Sequence, residues 1–346
     1  MELREIFAKR LRNARIMKGW SMDDLCKAMD NSVSKMSISK YENGKVAPNS
    51  DIVISLSKAL DLPVDYFLRL YNFEITSIKL RNNNLGIKKE NSIKELIIDY
   101  LERYLEIENI CNSTLNFTSP FSDVVSSREE VINYAQQLRK DWKLGLYGIV
   151  NVLNLLEEKG IKVLEIEAQE DFDCLSSIIN NVYPVVVLNK KLNAEQKRFT
   201  AFRELGHLLF NFSKDIEEKE EDKLCNIFAN EMLIPQQVFI DLIGSKRHDI
   251  SYQELKAIQL QYGISVPDLM NKARDFHIIS EQHYKHFSME LKANPLFNTS
   301  LFPNVSSHRF NALVYKALSK DMITNSKADS LLNVSLEEVK KNLVLV

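Results

Sequence analysis

Residues 34–44 read Ser-Lys-Met-Ser-Ile-Ser-Lys-Tyr-Glu-Asn-Gly. Ser34 is of the type that caps a helix, and Asn43-Gly44 stops one, so the stretch predicts a short helix over 34–42. Working backwards, Asp30-Asn31-Ser32 is a polar turn, and Ser21 caps a preceding helix over 22–29 with Leu25 and Ala28 inward. Before that, residues 4–17 place Ile6, Phe7, Leu11 and Ala14 on one face at helical spacing. Working forwards, residues 51–60 predict a further helix, and a Pro63-initiated turn brings Val64, Phe67 and Leu68 to a small core. Two short helices joined by a turn, the second with a basic outer side, are the helix-turn-helix layout. Ile38 must face the core. That leaves Ser34, Lys35, Ser37 and Ser39 outward as candidates for base contact, with Lys40 and Lys45 as phosphate contacts.

Residues 11–68 resemble the Xre/phage-repressor family. The motifs that carry the likeness are R-x-x-K-G-x-S from Arg15, S-K-x-x-I-S-K-Y-E-x-G-K from Ser34, and P-x-S from Pro48. The turn is longer than in the shortest members, which alters local shape and not the plan. The resemblance implies a double-stranded DNA operator and, because such domains read two-fold sites, a homodimer.

The chain has 346 residues, enough for two or three domains. With 45% hydrophobic and 27% charged residues it can bury a sizeable core, and a net charge of −2 restricts any nucleic-acid surface to a local basic patch. The scattered cysteines Cys26, Cys111, Cys174 and Cys225 have no CxxC spacing and read as reduced thiols. The charged opening Met-Glu-Leu-Arg-Glu does not suit a signal peptide, and the longest apolar runs, such as 184–188, are too short for a bilayer. A cytoplasmic protein with no membrane partner is expected.

Four regions follow: 1–70; 71–120 as a linker with an Asn82–Asn84 turn and one helix over 92–110; 121–275 of mixed character; and 276–346, helical. In the third, Ser127 and Glu130 form a capping box for a helix to about 140, and Gly160 closes another over 152–159. Strand signals at 162–167 and 183–188 precede helices over 194–210 and 217–232. Helix-turn spacings around Gly263-Ile264-Ser265 and Asn333-Val334-Ser335 lack a basic face and read as structural or partner-binding elements. The expected fold class is mainly α with a small sheet.

The helix over 194–210 contains Arg203-Glu204-Leu205-Gly206-His207. A helical zinc-peptidase site needs histidines at i and i+4, with a glutamate beside the first as general base. Here the first position is Arg203, which stays protonated and offers no lone pair. By spacing alone this is no metal motif.

Its surroundings resemble the ImmA/IrrE metallopeptidase family: Asp171-Phe172-Asp173, then Pro184–Asn189, R-F-T-A-x-x-E-L-G-H-L-L from Arg198, and L-C-N-x-F-A-x-x-M-L-I-P from Leu224. The resemblance implies an α+β zincin-like domain after the all-α DNA-binding domain, with a helical C-terminal region. It also implies zinc, with Glu204 as general base, His207 as a ligand and Asp222 as a shortened third ligand. Arg203 breaks the carry-over. Three arrangements are open: a site with two protein ligands and little zinc affinity; a guanidinium that replaces the ion, forked onto Asp222 or Glu204; or a rebuilt site of His207, Asp222 and Cys225. The expected function is a DNA-binding transcriptional regulator whose ImmA/IrrE-like domain senses or binds a repressor, toxin or other protein. The alternatives are a zinc-dependent endopeptidase cleaving a repressor or antitoxin, and an antitoxin-like autoregulator.

Overall fold

In a computed structural model the protein is described at residues 2–70, 86–121, 123–168, 172–334 and 336–342. The expected Asn82–Asn84 turn, Asp171 and Ser335 lie outside the described residues. Two compact units form: residues up to 70 with 86–115 and those from 308 on, and residues 116–307.

The first unit is all helical. It begins with α1 (Leu3–Met17), α2 (Met22–Ala28), α3 (Lys35–Glu42), α4 (Ser50–Leu60) and α5 (Val64–Leu68). Each of the middle three starts on a side chain that takes an otherwise unpaired backbone N–H: Ser21 from Asp24, Ser34 from Ser37, Asn49 from Ile52. Phe7, Leu11, Leu25, Ile38, Leu56, Leu60, Tyr66 and Phe67 close the core. Three expected core positions differ. Ala28 is exposed while Cys26 and Met29 turn inward, and Val64 and Leu68 are exposed because α5 buries Tyr66 and Phe67 instead.

The helix expected within a linker runs longer than the sequence suggested, as α6 (Ile87–Ile110), and is deeply buried. Ile93, Ile97, Tyr100, Tyr104 and Ile107 form its apolar stripe, packed against α1, α15 (Arg309–Ser319) and α16 (Asn325–Leu332). A charged seam accompanies it. Arg10 donates to Glu102 at 2.7 Å, and Asp99 accepts from Arg69 at 3.4 Å and from Arg103 at 2.9 Å. The second Arg69 amine reaches the Ser330 hydroxyl and carbonyl. A last helix, α17 (Leu336–Asn342), packs on α16.

The second unit is α+β. Its three-stranded sheet has the order β2 (Lys162–Ile166), β4 (Tyr183–Asn189), β3 (Cys174–Ile179), with β2 parallel and β3 antiparallel to the centre. A two-stranded parallel pair, β1 (Val124–Val125) with β5 (Asn211–Phe212), is too short to leave a sequence signal. Strand β3 was not expected, because Ser176-Ser177 interrupt its apolar run. Both serines are nonetheless buried. Around the sheet lie α7 (Arg128–Asp141), α8 (Val152–Glu158), α9 (Ala194–Leu209) and α10 (Glu218–Leu233), with α9 on the sheet and α10 between α9 and α7. Then come α11 (Gln236–Ile243), α12 (Tyr252–Tyr262), α13 (Val266–Asp275) and α14 (Glu281–Ala293). Gly206 of α9 faces Cys225 of α10, where an added Cβ would lie 3.1 Å from Sγ. The crossing is that close.

Lys272 of α13 is buried, donating to the carbonyls of Asn230 and Ile234 and pairing with Glu231 at 3.4 Å. Burial lowers its pKa to about 8 despite the Glu231 carboxylate. The unfolded chain, with an ordinary lysine near 10.4, therefore binds more protons than the folded chain between pH 8 and about 10.4. Stability gains with rising pH across that window, and the penalty for the charged amine is complete below pH 8. Urea unfolding followed by Trp142 in a Trp20→Phe background should show this gain between pH 7.5 and 9.5. Lys272→Met should lose it.

Candidate functional site

The outward face of α3 is set by what its other face packs on. Ile38 and Tyr41 are in the core, and Glu42 is buried in a fork with Arg15 of α1, Nε to Oε1 at 2.6 Å and Nη2 to Oε2 at 2.7 Å. The third Arg15 amine donates to the Trp20 carbonyl at 2.8 Å, tying in the entry to α2. The hydrogen bonds to Glu42 raise the Arg15 pKa above its ordinary value. The Arg of the first motif and the Glu of the second are thus one ion pair fixing α3 on α1.

Opposite, Ser34, Lys35, Lys40 and Lys45 are exposed. Ser37 and Ser39 are half-buried: Ser37 shares a hydrogen with Ser34 between hydroxyls 3.0 Å apart, and Ser39 Oγ accepts from Asn43 at 3.3 Å. Lys35 Nζ is 2.6 Å from Asp23 of α2, both groups facing solvent. Met36 was not anticipated. It is 69% exposed on this face, one turn before Lys40. Its lack of a core seat at that spacing was the available signal. An exposed thioether there suits the C5-methyl of thymine in a major groove.

In the second unit, α9 carries Glu204 into the interior against β3. The carboxylate is 4% exposed and has a donor for each oxygen. Oε2 accepts from Ser176 Oγ at 2.7 Å. Oε1 accepts from Cys174 Sγ at 2.9 Å and from Arg203 Nη2 at 3.3 Å. Cys174 and Ser176 share one side of β3 by the two-residue period, a placement visible only once the strand is known. Burial, reinforced by the Glu204 carboxylate, pushes the Cys174 thiol well above its usual range, so it is a neutral donor. Arg203 also donates to Cys174. Burial opposes the Arg203 charge, but the Glu204 carboxylate and the hydrogen bonds to Cys174 and Glu204 outweigh it and hold the pKa above the ordinary value.

His207 lies between two partners on opposite sides of its ring: Asp222 Oδ1 is 3.1 Å from Nε2, and Cys225 Sγ is 3.1 Å from Nδ1. Because ring nitrogens diverge, Asp222 and Cys225 do not converge with His207 on one point. The arginine fork thus lands on Glu204 and Cys174, and not on Asp222.

Residues 11–67 match the family model of a helix-turn-helix, and residues 156–267 match that of the IrrE N-terminal-like domain of the M78 peptidases. The chain joins these two modules. Among curated proteins none matches it. The chain is mainly α: a helix-turn-helix, then an α+β IrrE-like domain, then a helical C-terminal region. Helix α3 falls inside the first match, and β3, α9 and α10 fall inside the second. No described helix is long and apolar enough to cross a membrane.

The M78 family is typically zinc-dependent, and the residues here do not fit that ion. The helical ligand position holds a protonated guanidinium, Glu204 is saturated by protein donors, and His207 faces Asp222 and Cys225 on different nitrogens. Among the described residues, no three His, Cys, Asp or Glu side chains are grouped to hold a metal.

The Arg15–Glu42 fork yields a stability prediction, since removing one partner strands a buried charge. Arg15→Met should cost the first unit roughly 3 kcal/mol, and adding Glu42→Gln should recover much of it. Urea unfolding read by Trp20 in a Trp142→Phe background measures both.

Proposed function

We propose that this chain is a sequence-specific DNA-binding transcriptional regulator. In this reading it acts in the cytoplasm as a homodimer, and its IrrE-like domain binds a protein or senses a signal without hydrolysing peptides. The observation that carries the proposal is the α3 face: a helix pinned from behind by Arg15–Glu42, presenting Lys35, Met36 and Lys40 outward with Lys45 just beyond. Lys35 and Met36 lie at the N-terminal end, where a recognition helix approaches base edges, and the lysines match phosphate. Asp23 holds Lys35 until a stronger acceptor arrives.

A second copy of the chain is supported by Ile54, Val64, Leu68 and Leu70, each 39–61% exposed on α4, on α5 and just after it. A two-fold dimer would cover them and set a half-site spacing of one helical turn. The non-hydrolytic reading is supported by Arg203 and Glu204, whose charges answer each other.

Selection from random duplexes, followed by titration over a range of salt, tests the proposal. One pseudo-palindromic site should emerge. Lys40→Ala should weaken binding to all duplexes alike and reduce the salt slope by about 1. Met36→Ala should lower affinity for the selected site only, as should replacing its contacted thymine with uracil. Equal affinity for every duplex, unchanged by either substitution, would sink the groove assignment.

A further inference from the structure

We propose that Arg203 is the resident cation of the IrrE-like domain: its guanidinium takes the place of a metal ion beside Glu204 and, with Cys174 and Ser176, closes the site to zinc. The inference does not depend on DNA binding and concerns the second unit alone.

A buried carboxylate without a compensating cation or donor set is strongly unfavourable, so Glu204 needs either a metal or a substitute. The substitute is built from two elements. Helix α9 supplies the guanidinium from the adjacent residue, with 29% of that side chain open to solvent. Strand β3 supplies two uncharged donors at alternating positions, one to each oxygen. This is more than the loss of a ligand. A lesion at position 203 alone would meet only the adjacent Glu204, whereas this guanidinium also meets Cys174 of β3. The thiol donates to the carboxylate, which requires its proton, so it is not the thiolate a metal would take.

His207 is consistent with the exchange. Its side chain, 4% exposed, is held by Asp222 on one nitrogen and Cys225 on the other. Histidine at position 203 would restore the i, i+4 pair, and Asp222 already stands 3.1 Å from His207.

The experiment compares the full chain with Arg203→Met, Glu204→Gln, the double variant of these, and Arg203→His. Each is dialysed against zinc and then against buffer. Zinc per chain is read by elemental analysis, and Tm is read with and without EDTA. The natural chain should carry no stoichiometric zinc, and its Tm should be indifferent to zinc and EDTA. Arg203→Met should lower Tm by roughly 4–8 °C, and Glu204→Gln in the same chain should recover most of that loss, the signature of charge compensation. Arg203→His should take up about one zinc per chain, with a Tm that zinc raises and EDTA lowers.

Stoichiometric zinc on the natural chain overturns the proposal, as does an Arg203→Met chain that melts like the natural one. A folded Arg203→His chain that takes up no zinc overturns the claim that the guanidinium stands in the metal's place. If that variant does not fold, the Arg203–Glu204 cycle decides the matter: without coupling between the two substitutions the proposal fails.

Discussion

A guanidinium keeps its proton even when buried, so wherever this chain buries an arginine the surrounding backbone must bring acceptors to it. Arg198 is the extreme case. It is fully buried, and among the described residues no carboxylate is hydrogen-bonded to it. Its amines donate to the carbonyls of Ile149, Val150, Tyr262 and Gly263, and Phe302 stacks on its plane at 4.2 Å. Burial lowers its pKa to about 10, still high enough to hold the charge at neutral pH. One side chain thus joins the start of α9, the segment before α8 and the turn between α12 and α13. Gly263, in the left-handed region at φ 61°, leaves no space for a Cβ beside that guanidinium. Arg139 does the same work nearby, through the carbonyls of Gly145, Tyr147 and Met232. Loops that would otherwise wander are fixed by the hydrogen-bond demand of a cation.

The first unit meets the same demand with carboxylates. Asp99 accepts from Arg69 and Arg103, and Glu102 accepts from Arg10, so α6 is bound to both the helix-turn-helix and the C-terminal helices. Apart from the i, i+4 pair Asp99–Arg103, none of this was legible in the sequence, because the other partners are dozens to hundreds of residues apart. The charged stretch over 92–110 read as a helix within a linker. Its apolar stripe is in the sequence, yet the charges interleaved with it masked how much of it is covered.

Where signals were local, the reading succeeded. Ser21 and Ser34 cap the helices they precede, Ser127 and Glu130 form a reciprocal box, and Gly160 ends a helix at positive φ. The errors came at positions where packing chooses between two small or exposed alternatives. Ala28 and Met29 are adjacent, and the turn after α2 decides which is inside. The arginine in the helical ligand position was plain from the first reading. Its partners were not, because Cys174 and Ser176 lie on a strand whose serines made it look like loop. Their burial follows from the carboxylate they serve: a serine donating to Glu204 can be interior where the same serine without a partner could not.

That exchange changes what the domain's stability depends on. A structural or catalytic metal stabilises a fold in proportion to the logarithm of its free concentration, so a zinc-holding domain reports the metal supply whether or not it hydrolyses anything. A guanidinium on the same helix is present at fixed stoichiometry. If Arg203 stands in for the ion as proposed, the packing of α9 on β3 is independent of zinc and of chelators. For a regulator this removes one input. Under that proposal, a signal reaching the IrrE-like domain would act through its surface, by binding a partner or ligand, because the interior charge that a metal would have controlled is answered within the chain.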